Sequence, residues 1–488
     1  MLSFNKFKLK MVKKVIIIGA GPAGLGAAYR LAGKSGLEVM VFEQGKKVME
    51  RKCPSPNKCV HCNRGEGICD QSEGVAGAGA FSDGKFMAET ILGFREVGSN
   101  MIEYVGTREN ERYWMLQGKE FFQKFGVEFS NPGKELLARA KNIYNLAGKN
   151  GMDYLFSSQA HIGTDKLPEL MKKIEDHILH NGVEIKTREA VKGFDSSKVY
   201  TSKGEYEYDR IILAPGRKGA DWLEQVLKSN NLQVDYRAVD IGFRVETDAC
   251  VLEELCSISR DVKLSFRKPG NGDLIRTFCV CPNGKVTRET YEKKGFNLVN
   301  GASDSDPAKQ TNNTNFALLV SVPLTDRVNC NNFADSIAKT IHLSGGDQVV
   351  GQRFGELVDL DRRSKYEKLH ESRIEPTLKD VYIGDVGIGM PYRIVKSLIY
   401  GIGRLSGNEE ICKHKFTAPP LMPGLDQFDT WVYAPEMKRN GLKIKADDCL
   451  RINDKISIAG DGAGVTRGIV PAAASGILAA DGILKDYC

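Results

Sequence analysis

Two groups of residues near the start of the chain have types and spacings suited to chemistry. Gly19, Gly21 and Gly24 form G-x-G-x-x-G, with Pro22 and Ala23 between the last two, and Glu43 follows nineteen residues after Gly24. In such a turn the first glycine permits the sharp bend and the second lets backbone approach a pyrophosphate. The third lets a helix pack closely on a strand, and an acid about 20 residues on suits a ribose hydroxyl. The second group is Cys53, Cys59, Cys62 and Cys69, in a loop rich in Pro, Asn and Gly. Thiolates grouped in this way can bind zinc or an iron–sulfur cluster, with His61 as a substitute ligand. Their spacing, C-x5-C-x2-C-x6-C, holds one CxxC and not the two of a zinc ribbon. A redox pair and a plain structural loop therefore stay open as alternatives.

The elements around the glycines decide what they are for. Val15–Ile18 is an apolar, β-branched run of the kind buried in a parallel sheet. A helical pattern then runs through Ala28 and Leu31, and a second strand, Val39–Phe42, ends at Glu43. Strand, turn, helix, strand and acid arrive in order, which predicts a dinucleotide site with the anion at a helix N-terminus. At the other end, Ile456–Ala480 again reads as a strand, a Gly-rich turn and a helix of small residues. There Gly460 and Asp461 are placed to meet the hydroxyls of a polyol chain, and Gly468 and Ile469 open the helix. The backbone of Gly462–Gly464 is expected to stabilise negative charge on a reduced ring. An NAD site needs only the first unit, so the pair of ends predicts FAD rather than NAD or FMN. Tyr206–Gly219 is a strand that delivers Gly216 to a sheet edge, and Gly74–Gly84 is small enough to lie against a flat ring or a phosphate.

From Tyr236 the pattern becomes β-rich, and no second glycine fingerprint appears. Ser344–Asp347 and Gly387–Met390 lack the strand, turn and helix that make the motif work. The expected fold is therefore α/β: a discontinuous Rossmann-like FAD-binding domain carrying an inserted α+β, β-rich substrate domain. The boundaries are a basic tail over 1–12, a first part of the FAD domain over 13–235, the insert over 236–440 and a closing segment over 441–488. Cys279 and Cys281 lie two apart on a predicted strand and so face one side, either to approach the loop cysteines or to fill a core.

Composition bounds the function classes. The chain has 488 residues, 41% hydrophobic and 27% charged, with no apolar run of membrane-spanning length. Its net charge of +7 permits an acidic ligand. Nucleic acid is disfavoured because no basic stripe is interleaved with aromatics. Twelve cysteines without a signal-peptide pattern point to a reducing cytoplasm.

Several segments together carry a family resemblance: the fingerprint, GAGAFSDGK, HIGTD, LAPGRKGADW, RTFCVCPNG, NTNFALLVS, PYRIVKS and AGDGAGVTRGIVPAAASG. The chain resembles the glutathione-reductase-type FAD superfamily, most closely its NAD/FAD-utilising dehydrogenases. That resemblance implies non-covalent FAD, oxidoreductase chemistry, and Ser82 and Lys85 near the flavin. His161, Arg393 and Arg467 are the candidates for substrate binding or proton delivery. The expected partner is a small molecule, with NAD(P)H or a redox protein as electron donor or acceptor. The alternatives are a flavoprotein acting on RNA and an electron-transfer protein centred on the cysteine loop.

Overall fold

The computed structural model describes residues 12–52, 68–82, 84–163, 166–291, 294–304, 306–324, 328–358, 364–365, 372–439 and 441–487. The first unit is a parallel sheet built on β1, Lys13–Ile18, whose last four residues are buried. β1 pairs with β2, Leu37–Phe42, on one side, and with the strand Arg210–Leu213 on the other. The full order is Ile456–Ile458, Arg210–Leu213, β1, β2, Glu184–Lys186, so the closing segment of the chain pairs beside a strand from its middle.

Two helices cover this sheet, and small residues set their approach. Helix α1, Pro22–Leu31, packs along the C-terminal helix Ile469–Tyr487. A Cβ on Gly26 would lie 2.5 Å from the Ala473 carbonyl oxygen, and one on Gly476 only 1.9 Å from that of Ala23. The two backbones touch, so neither position tolerates a side chain. Gly476→Ala is expected to lower stability by about 1–3 kcal/mol or more, read as a reduced denaturation midpoint, because both obstructing atoms belong to helix backbone.

The second unit is a largely antiparallel sheet. Its order is Tyr382–Ile383, Val350–Arg353, Trp431–Lys438, Val239–Asp248, Asn313–Val322, Leu274–Cys281, Lys263–Arg267, Asp153–His161, Lys85–Leu92. The helix Tyr392–Ser406 lays an almost fully buried face on it. The fold is thus α/β, a Rossmann-like parallel unit joined to a β-rich one. Two strands of the β-rich sheet, Lys85–Leu92 and Asp153–His161, precede residue 236, so the sheets do not divide where the composition changes.

Among the described residues no helix is long and apolar enough to cross a membrane. The predicted strands and helices recur with ends shifted by a few residues. Examples are Cys330–Ser344, where the sequence pattern predicts a helix over Asn332–Leu343, and Leu167–His180, where the spacing of Leu167, Leu170, Ile174 and Ile178 predicts one buried stripe and all four are buried. For the second of these helices the sequence also predicts an N-cap at Thr164 or Asp165, which lie outside the described residues.

Candidate active site

The fingerprint turn is shaped by contact with its own neighbours. Gly19 has φ +98°, and a Cβ there would lie 2.3 Å from the Ala214 carbonyl oxygen. A Cβ on Gly24 would lie 1.8 Å from the carbonyl oxygen of Gly19, which is the close helix–strand approach the third glycine permits. Gly21 differs. A Cβ there meets nothing within 4 Å, because the residue borders a cavity of about 1620 Å³.

Glu43, at the end of β2, is buried and shapes one end of this cavity. Its carboxylate accepts backbone N–H groups from Ala20 at 3.0 Å, Gly45 at 2.9 Å and Gly74 at 3.1 Å. An ionised carboxylate offers about four lone-pair sites, so one remains for a ligand hydroxyl. Ser82 stands on the same cavity, with its hydroxyl donating to the Gly79 carbonyl at 3.2 Å. Gly216, Gly460, Asp461, Gly468 and Ile469 line it from the returning strands and the start of the C-terminal helix. Asp461 accepts from the Thr466 hydroxyl at 3.1 Å and the Gly468 amide at 3.3 Å, which fixes the turn into that helix.

These residues fit a bound dinucleotide: an open glycine at a helix start, a buried acid with spare acceptor capacity, and a second turn from the far end of the chain. One detail changes. Gly462 and Gly464 do not line the cavity. A Cβ on Gly462 would press on the Gly216 backbone, and one on Gly464 on the Leu442 carbonyl. From this side the cavity is lined instead by Gly460, Asp461, Arg467, Gly468 and Ile469.

The opposite wall is one face of the antiparallel sheet, and it is charged. Asp240 is buried and ion-paired with Arg276. Lys263 pairs with Asp261 at 2.7 Å. The ammonium groups of Lys263 and Lys438 lie 4.7 and 4.8 Å from the centre of the Phe278 ring. Enclosure, with Arg276 and Arg467 nearby, holds the Lys438 amine well below the ordinary lysine range. Arg467 also lines the cavity and donates to the Arg439 carbonyl. Burial, and then Arg217, bring it down to about 10. Lys263 and Arg276 on this wall, with Arg467 beside it, offer cationic groups to an anionic occupant.

Of the three residues expected to serve the reaction, only Arg467 lies on the cavity. Arg393 is exposed and binds Asp273 through Nε and Nη2, so its charge is engaged at the surface. His161 is exposed at the end of its strand, paired in register with Lys85, and does not line the cavity. Lys85 does, with its amine donating to the Val280 carbonyl at 2.9 Å. Cys53, Cys59, Cys62 and His61 lie outside the described residues. Cys69, the one described member of that loop, borders the cavity. Among the described residues the group whose ligand atoms come within 4.8 Å of one another is Asp447, Asp448 and Cys449, far along the sequence from that loop.

The sheet-side residues Asp240, Lys263, Arg276 and Lys438 are absent from the sequence-derived site. Alternating charges inside β-rich segments were a usable signal, because a charged residue on a buried strand face needs a polar cavity or a partner.

Residues 13–135 match the family described as pyridine nucleotide-disulphide oxidoreductase. The chain is 23% identical, over 97% of its length and 81% of the other's, to an uncharacterized protein of Clostridium beijerinckii (strain ATCC 51743 / NCIMB 8052). It aligns with pyridoxine 4-oxidase from Mesorbium loti at 12% identity and a TM-score of 0.40, over 97% of this chain and 99% of that one. With Thermovibrio ammonificans THI4 it shares 13% identity and a TM-score of 0.26, over 46% of this chain and 64% of that one. These structural alignments are too loose to bear on chemistry. The family match covers the stretch from β1 past the cysteine loop, which holds the glycine turn and Glu43.

Proposed function

We propose that this chain is an FAD-dependent oxidoreductase of the glutathione-reductase type that acts on a small acidic molecule. One observation carries the proposal: the glycine turn with Glu43, the Asp461 turn and a sheet face bearing Lys263 and Arg276 all open on one cavity. The family match over residues 13–135 supports the first half.

FAD, when bound, supplies a two-electron acceptor or donor; the rest falls to side chains. Gly21 keeps the pyrophosphate path clear, Glu43 takes an adenosine ribose hydroxyl, and Asp461 faces the polyol chain. The helix start at Gly468 and Ile469 favours negative charge nearby. Arg276 and Arg467 orient an anionic substrate. Lys438 Nζ, whose charged form is disfavoured by burial and then by Arg276 and Arg467, is the atom suited to accept a proton released on oxidation. NAD(P)H or a redox protein serves as the other electron partner. Cys69 on the cavity favours a place for its loop beside the cofactor, either as a zinc or iron–sulfur site or as a redox pair.

The test is the visible spectrum of anaerobically purified protein, with chromatography of the heat-released cofactor and elemental analysis. A flavin spectrum and released FAD are expected. Released FMN alone, or no chromophore after reconstitution with FAD, overturns the proposal.

A further inference from the structure

Glu436, on the strand Trp431–Lys438, borders the cavity yet is only 5% exposed. Its Oε2 is buried without a hydrogen bond, and the carboxylate accepts from no described residue. Among the described residues, the cation within 4 Å of it is the fully buried Arg244, with Nη1 at 3.8 Å from Oε2. That guanidinium is held elsewhere: Nε donates to Asn315 at 2.8 Å and Nη2 to the Cys279 carbonyl at 2.9 Å, and Nη1 has no hydrogen bond. Lys438, two residues along the strand, lies against the Phe278 ring and makes no ion pair with Glu436. Glu289 lines the same cavity, close enough to repel Glu436. A buried carboxyl without donors is costly unless something else supplies them. Burial, and after it Cys279 and Glu289, outweigh Arg244 and push this carboxyl up to about 8. A cation seated against it from the cavity would restore its charge.

The same sheet face carries the opposite charge further across. Arg276, Leu319, Gly242 and Glu436 are paired in register over four neighbouring strands. Arg276 and Glu436 therefore share a face, three strand spacings or about 14 Å apart at the backbone. Arg276 lines the cavity, is ion-paired with Asp240 and has Nε buried without a hydrogen bond. Arg95 is exposed, lines the cavity and lies near enough to Arg276 for the two charges to repel. Its guanidinium makes no hydrogen bond or ion pair with a described residue. Two guanidinium groups held together in this way favour a carboxylate between them.

We infer that the substrate is a zwitterion, an amino-bearing carboxylic acid whose carboxylate lies at Arg95 and Arg276 and whose ammonium lies at Glu436. The inference rests on the function proposed above and narrows its substrate class. An ammonium brings three donors to a carboxylate that has none, and the guanidinium forks match the two oxygens of the acid. A plain carboxylic acid satisfies only the arginines and leaves Glu436 buried without a donor. A plain amine satisfies only Glu436 and leaves Arg95 unpaired. Each charge of the zwitterion thus meets its complement, and opposite signs at the two ends of the row fix which way round the molecule lies.

The experiment titrates the FAD-loaded protein by calorimetry with ω-amino acids from glycine to 6-aminohexanoate, and with the alkanoate and alkylamine that match each in chain length. At least one amino acid is expected to bind 10-fold or more tightly than both of its singly charged analogues. Glu436→Gln should bring that amino acid to the affinity of its alkanoate, and Arg95→Gln to that of its alkylamine. Arg95 is exposed, so its variant is read even where loss of the buried Glu436 lowers stability. Flavin content is read on the same samples from the visible spectrum. A chain that takes up no FAD overturns the function proposed above, and the inference with it. A flavin-loaded protein that binds no amino acid more tightly than both analogues overturns the zwitterion alone. A preference that survives in Arg95→Gln overturns the assignment of the two ends.

Discussion

Gly21→Leu is expected to give a folded protein that purifies without flavin and takes up none on reconstitution. The position is unusual among the glycines of the fingerprint. At Gly19 and Gly24 a Cβ would strike backbone at 2.3 and 1.8 Å, so substitution there disturbs the fold and cofactor together. At Gly21 a Cβ has open space and the backbone φ is −70°, which any residue adopts. The cost therefore falls on the ligand: a leucine side chain would stand where the pyrophosphate must approach the start of α1. The expected result is an unchanged thermal midpoint for the apoprotein and a loss of FAD affinity of at least 100-fold, about 2.7 kcal/mol. The measurement is equilibrium titration of apoprotein with FAD, beside a melting curve. Full flavin occupancy in a well-folded variant would show that the cofactor does not lie along this turn.

Glu246→Ala should be among the most destabilising single changes in the chain, by about 3–5 kcal/mol. Glu246 is fully buried in the strand Val239–Asp248. Its carboxylate accepts from Tyr433 hydroxyl at 2.5 Å, Thr377 hydroxyl at 2.6 Å, Asn313 amide at 3.0 Å and the Thr377 backbone amide at 3.2 Å. It thus ties two neighbouring strands, Asn313–Val322 and Trp431–Lys438, to the segment holding Thr377. Removing it takes the acceptor from four donors, two on the half-buried Thr377 and one each on the buried Tyr433 and Asn313, of which Asn313 also donates to the Glu375 carbonyl. Glu246→Gln keeps the shape but forfeits the charge and one acceptor, and should cost less. Equilibrium denaturation followed by tryptophan fluorescence suits the test, because Trp431 is buried in the adjoining strand. A loss under 1 kcal/mol for the alanine variant would mean that this network does not hold the sheet together.

Much of the nucleotide end was legible in the sequence because its determinants are local. The glycine spacing, the β-branched run of β1 and the acid after β2 each act within about thirty residues. Short-range sterics and helix geometry fix what they do. The parallel unit, α1, the returning strand with Gly216 and the small-residue C-terminal helix all follow from such patterns. Even Gly26 and Gly476, though distant in sequence, announce close helix packing by their composition.

The sheet-side wall was decided by tertiary structure. His161 and Arg393 each had a plausible residue type, but strand ends and surface ion pairs carried them away from the cavity. Asp240, Arg276 and Lys438 come from three strands, and only the register of the antiparallel sheet gathers them. The strands Lys85–Leu92 and Asp153–His161 join that sheet by pairing at its far edge, which no local pattern encodes. The pair Cys279 and Cys281 shows the division most clearly. Their spacing in the sequence puts two thiols on one side of a strand. The bulge at Cys279, where the register slips between Phe278 and Cys281, and the buried Arg244 that donates to Cys281 Sγ at 3.3 Å arise from pairing with Asn313–Val322 and from packing. Local sequence set the backbone that binds a nucleotide, because sterics over a few residues suffice for that. Long-range pairing set the electrostatics of the opposite wall, because fields there are sums over residues brought together only by the fold.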